Sequence, residues 1–390
     1  MILFYFTFAR NKQEKIMTIG VLKEITGERR VSLLPESVAT LVKMNVKMLV
    51  ESGAGMAAFA SDDDYIAAGA QIATRQSVIA NSDVLIKINQ PEKEELALMA
   101  EGKVLVCVLN PYFNIALVQE LAAKNITSFS LDVIPRTSRA QAMDILSSMA
   151  TVAGYKAVLT AANTLPKFFP MFMTSAGTIK PANMLILGAG VAGLQAIATS
   201  RKLGAVVYVF DVRAAVKEEV VGLGGKFVDV EGATDDKAAG GYAVEQSDEF
   251  KQRQAQAIHD QAVKSDVIIC TAQIPGRQAP LLLKKETVEA MRPGSVIIDL
   301  AASTGGNCEV TRNAETIVHH GVTVIGNSSF PVDMPTDASR MFGKNVINFL
   351  KLMITKEGDL NLNWEDDIVK GTAVTHHKEI VHERVKSFIG

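Results

Sequence analysis

A strand–turn–helix–strand pattern in the middle of the chain constrains its fold more than any other feature. A strand-like apolar run, Asn183–Leu187, leads directly into Gly188-Ala-Gly-Val-Ala-Gly193, and an apolar helical pattern follows. A second apolar run, Val206–Phe210, then ends on Asp211. A GxGxxG spacing alone is weak evidence, but this combination of strand, helix and acidic residue is the context that a dinucleotide-binding βαβ unit requires. The pattern therefore predicts such a unit rather than a glycine-rich turn that binds nothing.

Each glycine of this turn has its own expected role. Gly188 permits a tight turn, Gly190 lets the backbone approach a pyrophosphate, and Gly193 lets the helix pack closely on the strand. The N–H groups and the positive dipole end of the helix then favour phosphate. Asp211 can accept hydrogen bonds from an adenosine ribose and would repel a 2′-phosphate, which favours NAD over NADP. The neighbouring Arg213 could weaken that preference.

Length and composition predict a globular protein of two domains. At 390 residues the chain is too long for one ordinary core. Its net charge of −2 provides no basic field, so no nucleic-acid partner is expected. The three cysteines are irregularly spaced, and the six histidines form no HExxH or Cys/His pattern, so neither a disulfide framework nor a metal site is predicted. We expect the histidines, which all lie in the last third of the chain, to be solvated surface groups.

Two apolar stretches need separate interpretation. Residues 1–16 begin with an apolar run that is short, lacks a leading basic region and precedes a charged run, which is the wrong order for a secretory signal. We interpret them as a non-native or disordered N-terminal extension, with Met17 as the natural start. Residues 182–199 are apolar enough to resemble a membrane span, but their glycine spacing predicts a buried strand, turn and helix. No transmembrane helix is predicted.

From Met17 onward, short apolar runs alternate with segments of helical periodicity. The predicted strands are 18–22, 47–50, 83–88, 104–109, 127–131, 184–187, 206–210, 267–270, 295–300 and 322–325. The alternation predicts an α/β fold of two doubly wound, Rossmann-like parallel sheets with a cleft between the domains. We expect residues 17–140 plus 330–390 to form the first domain and residues 141–329 the dinucleotide-binding domain. Residues 139–162 have the periodicity of a crossover helix.

The residues themselves offer few candidates for acid–base chemistry. A nicotinamide enzyme that oxidises an alcohol or an amine must remove a proton as well as a hydride, so it needs a positioned acid or base. The candidates are Arg30 and Lys87, the latter within the apolar run 83–88. A lysine in an apolar strand costs free energy unless its charge finds a partner. Lys87 therefore points into a cleft or reaches solvent at the strand end, and the sequence leaves both possibilities open.

The segment Pro135-Arg-Thr-Ser-Arg-Ala-Gln-Ala-Met-Asp-Ile-Leu-Ser-Ser148 carries a more specific signal. Together with the glycine turn it resembles the soluble, NAD(H)-binding alpha component of the proton-translocating nicotinamide nucleotide transhydrogenase family. The resemblance extends from Met17 to about His382. It implies that the nicotinamide and its ribose are held by Arg136, Gln141, Asp144 and Ser147. By the same resemblance Gln141 faces the nucleotide of a partner subunit.

The resemblance also implies a set of cofactor contacts. These are Gly188, Gly190, Val191, Gly193, Asp211, Val212, Arg213, Gly241, Tyr242, Gln254 and Gln273. The run Gly240-Gly-Tyr242 resembles a mobile loop that closes over bound nucleotide in this family. Gln273 stands where the family pattern has an apolar residue. The segments 295–301 and 305–308 are similar to the rest of the pattern.

Alanine dehydrogenases share this architecture and are the alternative. They too have the arginine and lysine that match Arg30 and Lys87, but their catalytic histidine falls at Asn110 of this chain. Their aspartate near the nicotinamide falls at Ser303. The missing base fits transhydrogenation, because a hydride that passes between two nicotinamide rings involves no proton at either carbon. Alignment and close approach of the rings are what this reaction requires.

The resemblance thus implies an oxidoreductase that binds NAD(H) and passes hydride from NADH to NADP⁺ on a partner subunit, coupled to proton translocation. The chain has one fingerprint and no predicted membrane segment, so it would act only with a membrane subunit and an NADP(H)-binding beta subunit. It would be cytoplasmic and attached peripherally to the inner membrane through these partners. Two copies are expected to pair as a homodimer. The alternative is a free-standing NAD-dependent alanine dehydrogenase.

Overall fold

Two mainly parallel β-sheets organise the chain in the computed structural model, which describes residues 16–230, 232, 247–274 and 276–389. Contacts between residues divide the described chain into two units. Unit 1 contains residues 16–25, 31–135 and 346–389, and unit 2 contains residues 26–30 and 136–345 within the described ranges. The predicted N-terminal extension lies, except for Ile16, outside the described residues.

The strands and helices follow one another along the chain with short connections. The strands are β1 Thr18–Val21, β2 Lys47–Glu51, β3 Gln71–Ala73, β4 Val84–Ile86, β5 Val104–Cys107, β6 Thr127–Ser130, β7 Phe172–Thr174, β8 Gly177–Ile179, β9 Asn183–Leu187, β10 Val206–Phe210, β11 Lys226–Phe227, β12 Val267–Cys270, β13 Val296–Asp299, β14 Thr316–His319, β15 Val322–Gly326, β16 Ala373–His376 and β17 Glu379–Ile380. The α-helices are α1 Pro35–Val42, α2 Asp62–Ala67, α3 Arg75–Asn81, α4 Lys93–Leu98, α5 Ile115–Ala123, α6 Ile145–Thr164, α7 Val191–Lys202, α8 Lys217–Gly222, α9 Asp248–Ala262, α10 Lys285–Glu289, α11 Pro335–Leu350, α12 Asp367–Thr372 and α13 Glu383–Lys386.

Both sheets have the strand order of a doubly wound fold. In unit 1 the order is β17-β16-β6-β5-β4-β1-β2-β3, with β16 and β17 antiparallel at one edge. In unit 2 the order is β11-β10-β9-β12-β13-β15-β14, with β14 antiparallel to β15. The order reverses direction between β1 and β4 in unit 1 and between β9 and β12 in unit 2. Ligands bind such folds outside the carboxyl ends of the strands at these switch points. The predicted fold class is confirmed.

Helices cover both faces of the unit 2 sheet, as continuous apolar strands require. Met184, Ile186 and Ile269 belong to one hydrophobic cluster, which also contains residues of α6 and α7. Leu185 and Ile268, one position along, belong to a second cluster with residues of α9 and α10. Every residue of β12 and β13 is buried, so the predicted two-sided burial of these strands is confirmed.

Helix α6 begins later than the periodicity of residues 139–162 predicts. Residues Ser138–Met143 form a 3₁₀ helix instead, and α6 starts after Asp144, whose extended backbone conformation separates the two. By length and composition α6 is apolar enough to cross a membrane, a property that the sequence suggested only for residues 182–199. However, its Gly154 packs on α7 so closely that an added Cβ would lie 2.2 Å from the carbonyl oxygen of Ala192. Such backbone contact is that of a helix inside a packed domain.

The units differ from the predicted domain limits at residues 136–140 and 330–345, which group with unit 2. The Nδ2 group of Asn345 donates to the carbonyl oxygen of Ala142 at 2.8 Å. The 3₁₀ helix Phe330–Asp333 also packs on α6. These segments therefore follow α6, which periodicity alone did not assign to a partner.

Candidate dinucleotide-binding site

The glycine turn between β9 and α7 has the geometry that the sequence predicts. Gly188 has a φ of +102°, a conformation that residues with a side chain rarely adopt. A Cβ on Gly193 would lie 1.9 Å from the carbonyl oxygen of Gly188, so only glycine allows the first turn of α7 to pack there. A Cβ on Gly190, in contrast, would meet no described atom within 4 Å. No packing requirement in the described chain explains glycine at position 190, which fits close approach by a ligand phosphate.

The start of α7 is suited to an anion. Gly190 is its N-cap and has no side chain to satisfy the N–H groups of the first turn. These groups have no acceptor within the helix, and they add to the positive end of its dipole. Val191, the first helical residue, is 41% exposed, so the helix end is accessible. Backbone groups of this kind bind the pyrophosphate of a dinucleotide.

Asp211 follows β10 and holds the glycine turn in place. Its Oδ2 accepts a hydrogen bond from the backbone N–H of Ala189 at 2.7 Å. Arg213 contributes three further donors: its backbone N–H and Nε contact Oδ1 at 2.8 and 2.9 Å, and its Nη2 contacts Oδ2 at 2.8 Å. A carboxylate has about four acceptor positions. The carboxylate is therefore already fully engaged, and a ribose hydroxyl would have to replace part of the contact with Arg213.

The loop after β12 closes the other side of the switch point. The hydroxyl of Thr271 donates to the carbonyl oxygens of Leu187 and Gly188 at 3.1 and 3.0 Å. Gln273, in the same loop, is exposed overall, and its Nε2 donates to the carbonyl oxygen of Leu300 at 3.0 Å. The polar side chain at position 273 is thus accommodated by a backbone acceptor. Sequence reasoning missed Thr271, which locks the glycine turn to β12.

Two buried residues that sequence reasoning did not single out fix the neighbouring loops. Asp299, at the end of β13, accepts hydrogen bonds from Ala301, Asn307, Cys308 and Thr311 at 2.8 to 3.1 Å. Burial raises the pKa of Asp299 above its ordinary value, although these donors act in the opposite direction. Asn307 exchanges hydrogen bonds with both backbone groups of Ala272. The signal available in the sequence was an acid that ends an apolar run, followed by a Gly-Gly-Asn turn.

The predicted nicotinamide segment lies at the start of α6. Asp144 is the N-cap of α6: its Oδ1 accepts from the backbone N–H of Ser147 at 2.9 Å and its Oδ2 from the Ser147 hydroxyl at 2.6 Å. Gln141 and Arg136 are exposed. Gly154, where α6 meets α7, lies seven residues beyond Ser147, which is about 10 Å along the helix. Packing of α6 on α7 thus fixes this segment relative to the glycine turn.

The remaining predicted cofactor residues are less tightly connected. Val212 is partly buried and packs against the cluster on one face of the sheet. Gln254 is partly buried on α9. Gly241 and Tyr242 lie outside the described residues, so the predicted mobile loop stays a prediction.

Lys87 in unit 1 adopts neither of the two arrangements that the sequence left open. Its side chain is completely buried, and its Nζ contacts Oε2 of the equally buried Glu95 at 2.6 Å. Arg75 Nη1 lies 3.1 Å from the other carboxylate oxygen of Glu95. Helix α4 follows β4 closely enough to bring Glu95 under the strand, a tertiary contact that periodicity does not reveal. Arg30, in unit 2, is paired with Glu28 through two contacts of 2.8 and 2.6 Å.

The histidines differ from the prediction of six solvated side chains. Only His320 and His377 are exposed, and the other four are partly buried. His376 and His259 contact the hydroxyls of Thr127 and Thr287 at 3.0 and 2.9 Å. The prediction was wrong for these four because neighbouring elements cover positions that appear polar and solvated in the sequence. The three cysteines are buried and unpaired, as the apolar runs around Cys107 and Cys270 predict.

Comparison with known proteins gives concordant matches over nearly the whole chain. The family models "Alanine dehydrogenase/PNT, N-terminal domain" and "Alanine dehydrogenase/PNT, C-terminal domain" match residues 20–153 and 157–383. An NAD(P) transhydrogenase alpha subunit of Rhodospirillum rubrum is 46% identical over 94% of this chain and 98% of its own length. NAD(P) transhydrogenase subunit alpha of Haemophilus influenzae is 42% identical over 93% of this chain and 71% of its own length. The solved structure of transhydrogenase from Sinorhizobium meliloti is similar at a TM-score of 0.86 and 38% identity, covering 93% of this chain and 100% of that one.

Proposed function

The chain belongs to the alanine dehydrogenase/PNT family, and we propose that it is the NAD(H)-binding subunit of a proton-translocating transhydrogenase. In this role it holds NADH at the glycine turn while NADP⁺ is held by a partner subunit. Bound NADH supplies the hydride, and the products are NAD⁺ and NADPH. The family and the similarity to transhydrogenase alpha subunits support a transhydrogenase role and partner subunits.

The residues of unit 2 have separate tasks in this proposal. The N–H groups at the start of α7 bind the pyrophosphate, and Gly190 allows its approach. Asp211 binds the adenosine ribose after Arg213 yields part of the carboxylate. Arg136, Gln141, Asp144 and Ser147 orient the nicotinamide and its ribose. Because Asp144 and Ser147 are already hydrogen-bonded to each other, this end of the site is rigid before a ligand arrives.

The observation that carries the choice of reaction is the complete burial of Lys87 in an ion pair with Glu95. In the alternative, alanine dehydrogenase, a small amino acid would need a nearby cation and a positioned base. Lys87 is already neutralised, and position 110 has an exposed asparagine where that reaction would need histidine. Transfer between two nicotinamide rings needs neither group. The pair therefore supports transhydrogenation over oxidation of an amino acid.

Proton translocation would be carried out by partner subunits. The proposal places this chain at the cytoplasmic face of the inner membrane, held there through a membrane subunit and the NADP(H)-binding beta subunit. Two copies of the chain would pair in the complex. Helix α6, whose length and composition would suit a membrane, instead has a place against α7 in this arrangement.

The central experiment measures hydride transfer from NADH to an NADP⁺ analogue in complex reconstituted with the partner subunits. Gln141→Ala should lower the rate of transfer roughly 100-fold, because misplacement of one ring costs about that much. Binding of NADH to the isolated variant, followed by its fluorescence, should change little. Gln119→Ala, an exposed glutamine on α5, is the matched control and should leave both measurements unchanged. Transfer that is unaffected by Gln141→Ala would contradict the site assignment.

A second assay separates the two activities of the family. The purified chain is supplied with NAD⁺ and alanine, and formation of NADH is followed. We expect no turnover by the wild type. Robust turnover would overturn the transhydrogenase proposal and establish the alternative. Asn110→His tests whether the missing histidine is the decisive difference.

A further inference from the structure

A cluster of two histidines and a glutamate lies in unit 2 and has no role in the proposed function. Glu289 is the last residue of α10, His319 ends β14, and His320 begins the turn to β15. One ligand atom from each of these side chains lies within 4.8 Å of the others. The cluster is partly open to solvent, since the three side chains are 33%, 24% and 60% exposed in that order.

The β14–β15 turn explains why consecutive histidines lie side by side. Neighbouring residues of a strand normally point to opposite faces of the sheet. Here His320 has a φ of +49° and Gly321 a φ of +78°, as in the two-residue turns that join antiparallel strands. Histidine is one of the few residues other than glycine that tolerates this conformation. The turn rotates His320 out of the alternation and brings the two ring centroids to 5.0 Å.

The same turn is tied to the segment that follows α10. The backbone N–H of Gly294 donates to the carbonyl oxygen of Gly321 at 2.7 Å. A Cβ on Gly321 would lie 2.9 Å from the Cβ of Pro293. Val288 and Met291, on either side of Glu289, are buried. The backbone positions of all three side chains in the cluster are therefore fixed by packing within unit 2.

The distances between the side-chain atoms match those of a small metal centre. Glu289 Oε1 lies 3.0 Å from His319 Nε2 and 3.6 Å from His320 Nε2. Ligand atoms placed about 2.1 Å from a tetrahedral ion are about 3.4 Å apart, which lies between these two values. Two imidazoles and one carboxylate are ligands that Zn²⁺ accepts, with water in the fourth position. We propose that Glu289, His319 and His320 form a binding site for a divalent transition metal ion, best suited to Zn²⁺.

One neighbouring group opposes the ion. Lys285, one turn before Glu289 on α10, has its Nζ 3.8 Å from the same carboxylate oxygen. Its side chain is 56% exposed, so the ammonium can swing into solvent when a cation takes its place. Lys285 should therefore weaken the site without blocking it.

The site lies at the edge of the sheet opposite the glycine turn. His319 pairs with Val322, the first residue of β15, whereas Gly188 follows the last residue of β9. A five-residue strand spans about 16 Å, so an ion there would not touch the bound dinucleotide. It would instead clamp α10 to the β14–β15 hairpin, and its binding free energy would add to the stability of unit 2.

The test is calorimetric titration of the full chain with ZnCl₂ in a non-coordinating buffer, after removal of metal by a chelator. We expect one equivalent to bind, and a Co²⁺-loaded sample to show the intense visible absorption of a tetrahedral ion. His319→Ala and Glu289→Gln should each weaken binding by about ten-fold or more. His377→Ala, an exposed histidine in unit 1, is the matched control and should bind as the wild type does. Lys285→Ala should tighten binding several-fold, a change that a simple histidine–glutamate ion pair does not predict.

The outcomes are decisive in both directions. Retained affinity for NADH and an unchanged far-ultraviolet circular dichroism spectrum show that each variant is folded. Absence of Zn²⁺ binding by the wild type, or equal binding by the His319→Ala/His320→Ala double variant, would overturn the proposal. Since no step involves the dinucleotide, this result is independent of the proposed transhydrogenase function.

Discussion

The two units have the same strand order around their switch points but fill them differently. In unit 1 the carboxylate of Glu24, after β1, accepts hydrogen bonds from the backbone N–H groups of Ile88 and Asn89, after β4, at 2.6 and 3.1 Å. In unit 2 the corresponding position after β9 is the glycine turn, where a Cβ on Gly190 would meet no described atom. Backbone donors at one switch point are thus satisfied by the protein's own acid, whereas those at the other suit a ligand.

This difference shows that a doubly wound fold does not make a nucleotide site by itself. Unit 1 neutralises its charges internally through Glu24, Lys87 and Glu95, so its switch point contributes to stability. Unit 2 supplies unsatisfied N–H groups at the start of α7 and a fixed turn before it. The four predictions that follow test this contrast between an internally satisfied and a ligand-binding switch point.

The largest effect is expected for the buried ion pair of unit 1. Lys87→Met leaves the carboxylate of Glu95 buried with less compensation, and it should lower the free energy of unfolding by about 3–5 kcal/mol in urea denaturation. Lys217→Ala breaks an exposed ion pair with Asp229 and should cost less than about 1 kcal/mol. Equal costs for the two variants would show that unit 1 does not depend on internally paired charges.

Two glycines of the same turn should behave in opposite ways. Gly193→Ala forces a Cβ against the carbonyl oxygen of Gly188, so we expect unit 2 to lose several kcal/mol, about 3 by the scale of overpacked sites. Gly190→Ala should cost at most about 1 kcal/mol of stability, as for an altered N-cap, yet greatly weaken NADH binding. Thermal unfolding and NADH fluorescence titration measure the two quantities. If Gly190→Ala bound NADH like the wild type, the phosphate role of this glycine would be lost.

A smaller effect is expected at the adenosine end of the site. Arg213→Ala removes the Nε and Nη2 donors that engage Asp211, while the backbone N–H at position 213 can still donate. The freed carboxylate should bind the ribose of NADH a few-fold more tightly and repel the 2′-phosphate of NADPH more strongly. Competition titrations with the two nucleotides give this ratio, with Arg253→Ala as a control on an exposed arginine of α9. An unchanged preference would mean that Asp211 only supports the turn.

The smallest effect concerns pH. Burial raises the pKa of Glu24 above its ordinary value of 4.5, so its contribution to stability is present below pH 4.5 and is lost as pH rises through the raised pKa. The stability of the wild type relative to Glu24→Gln should therefore fall over that window. Asp64 is the control of opposite sign: its hydrogen bonds with Ser61 lower its pKa below 3.8. The contribution of Asp64 is present above pH 3.8 and is lost as pH falls through the lowered pKa. Urea denaturation at roughly pH 3 to 8 measures both slopes.

Sequence reasoning was most successful where the signal was local and periodic. The strands 267–270 and 206–210 agree with β12 and β10 because continuous apolar runs between turn residues allow few other structures. The glycine positions were predictable for a similar reason, since turn geometry is decided over a few residues. Helix α6 was placed less well, because its start depends on the cap formed by Asp144 and Ser147, which competes with a 3₁₀ turn before it.

By itself the amino-acid sequence determined the two-sheet α/β architecture and the dinucleotide-binding turn, because hydrophobic periodicity and glycine spacing act over short distances along the chain. Only the tertiary structure decided that Lys87 is buried against Glu95, that Arg213 occupies the carboxylate of Asp211, and that Glu289 meets His319. These contacts bring polar groups together through packing of separate elements. Their free energy depends on burial and distance, neither of which is encoded in any local pattern.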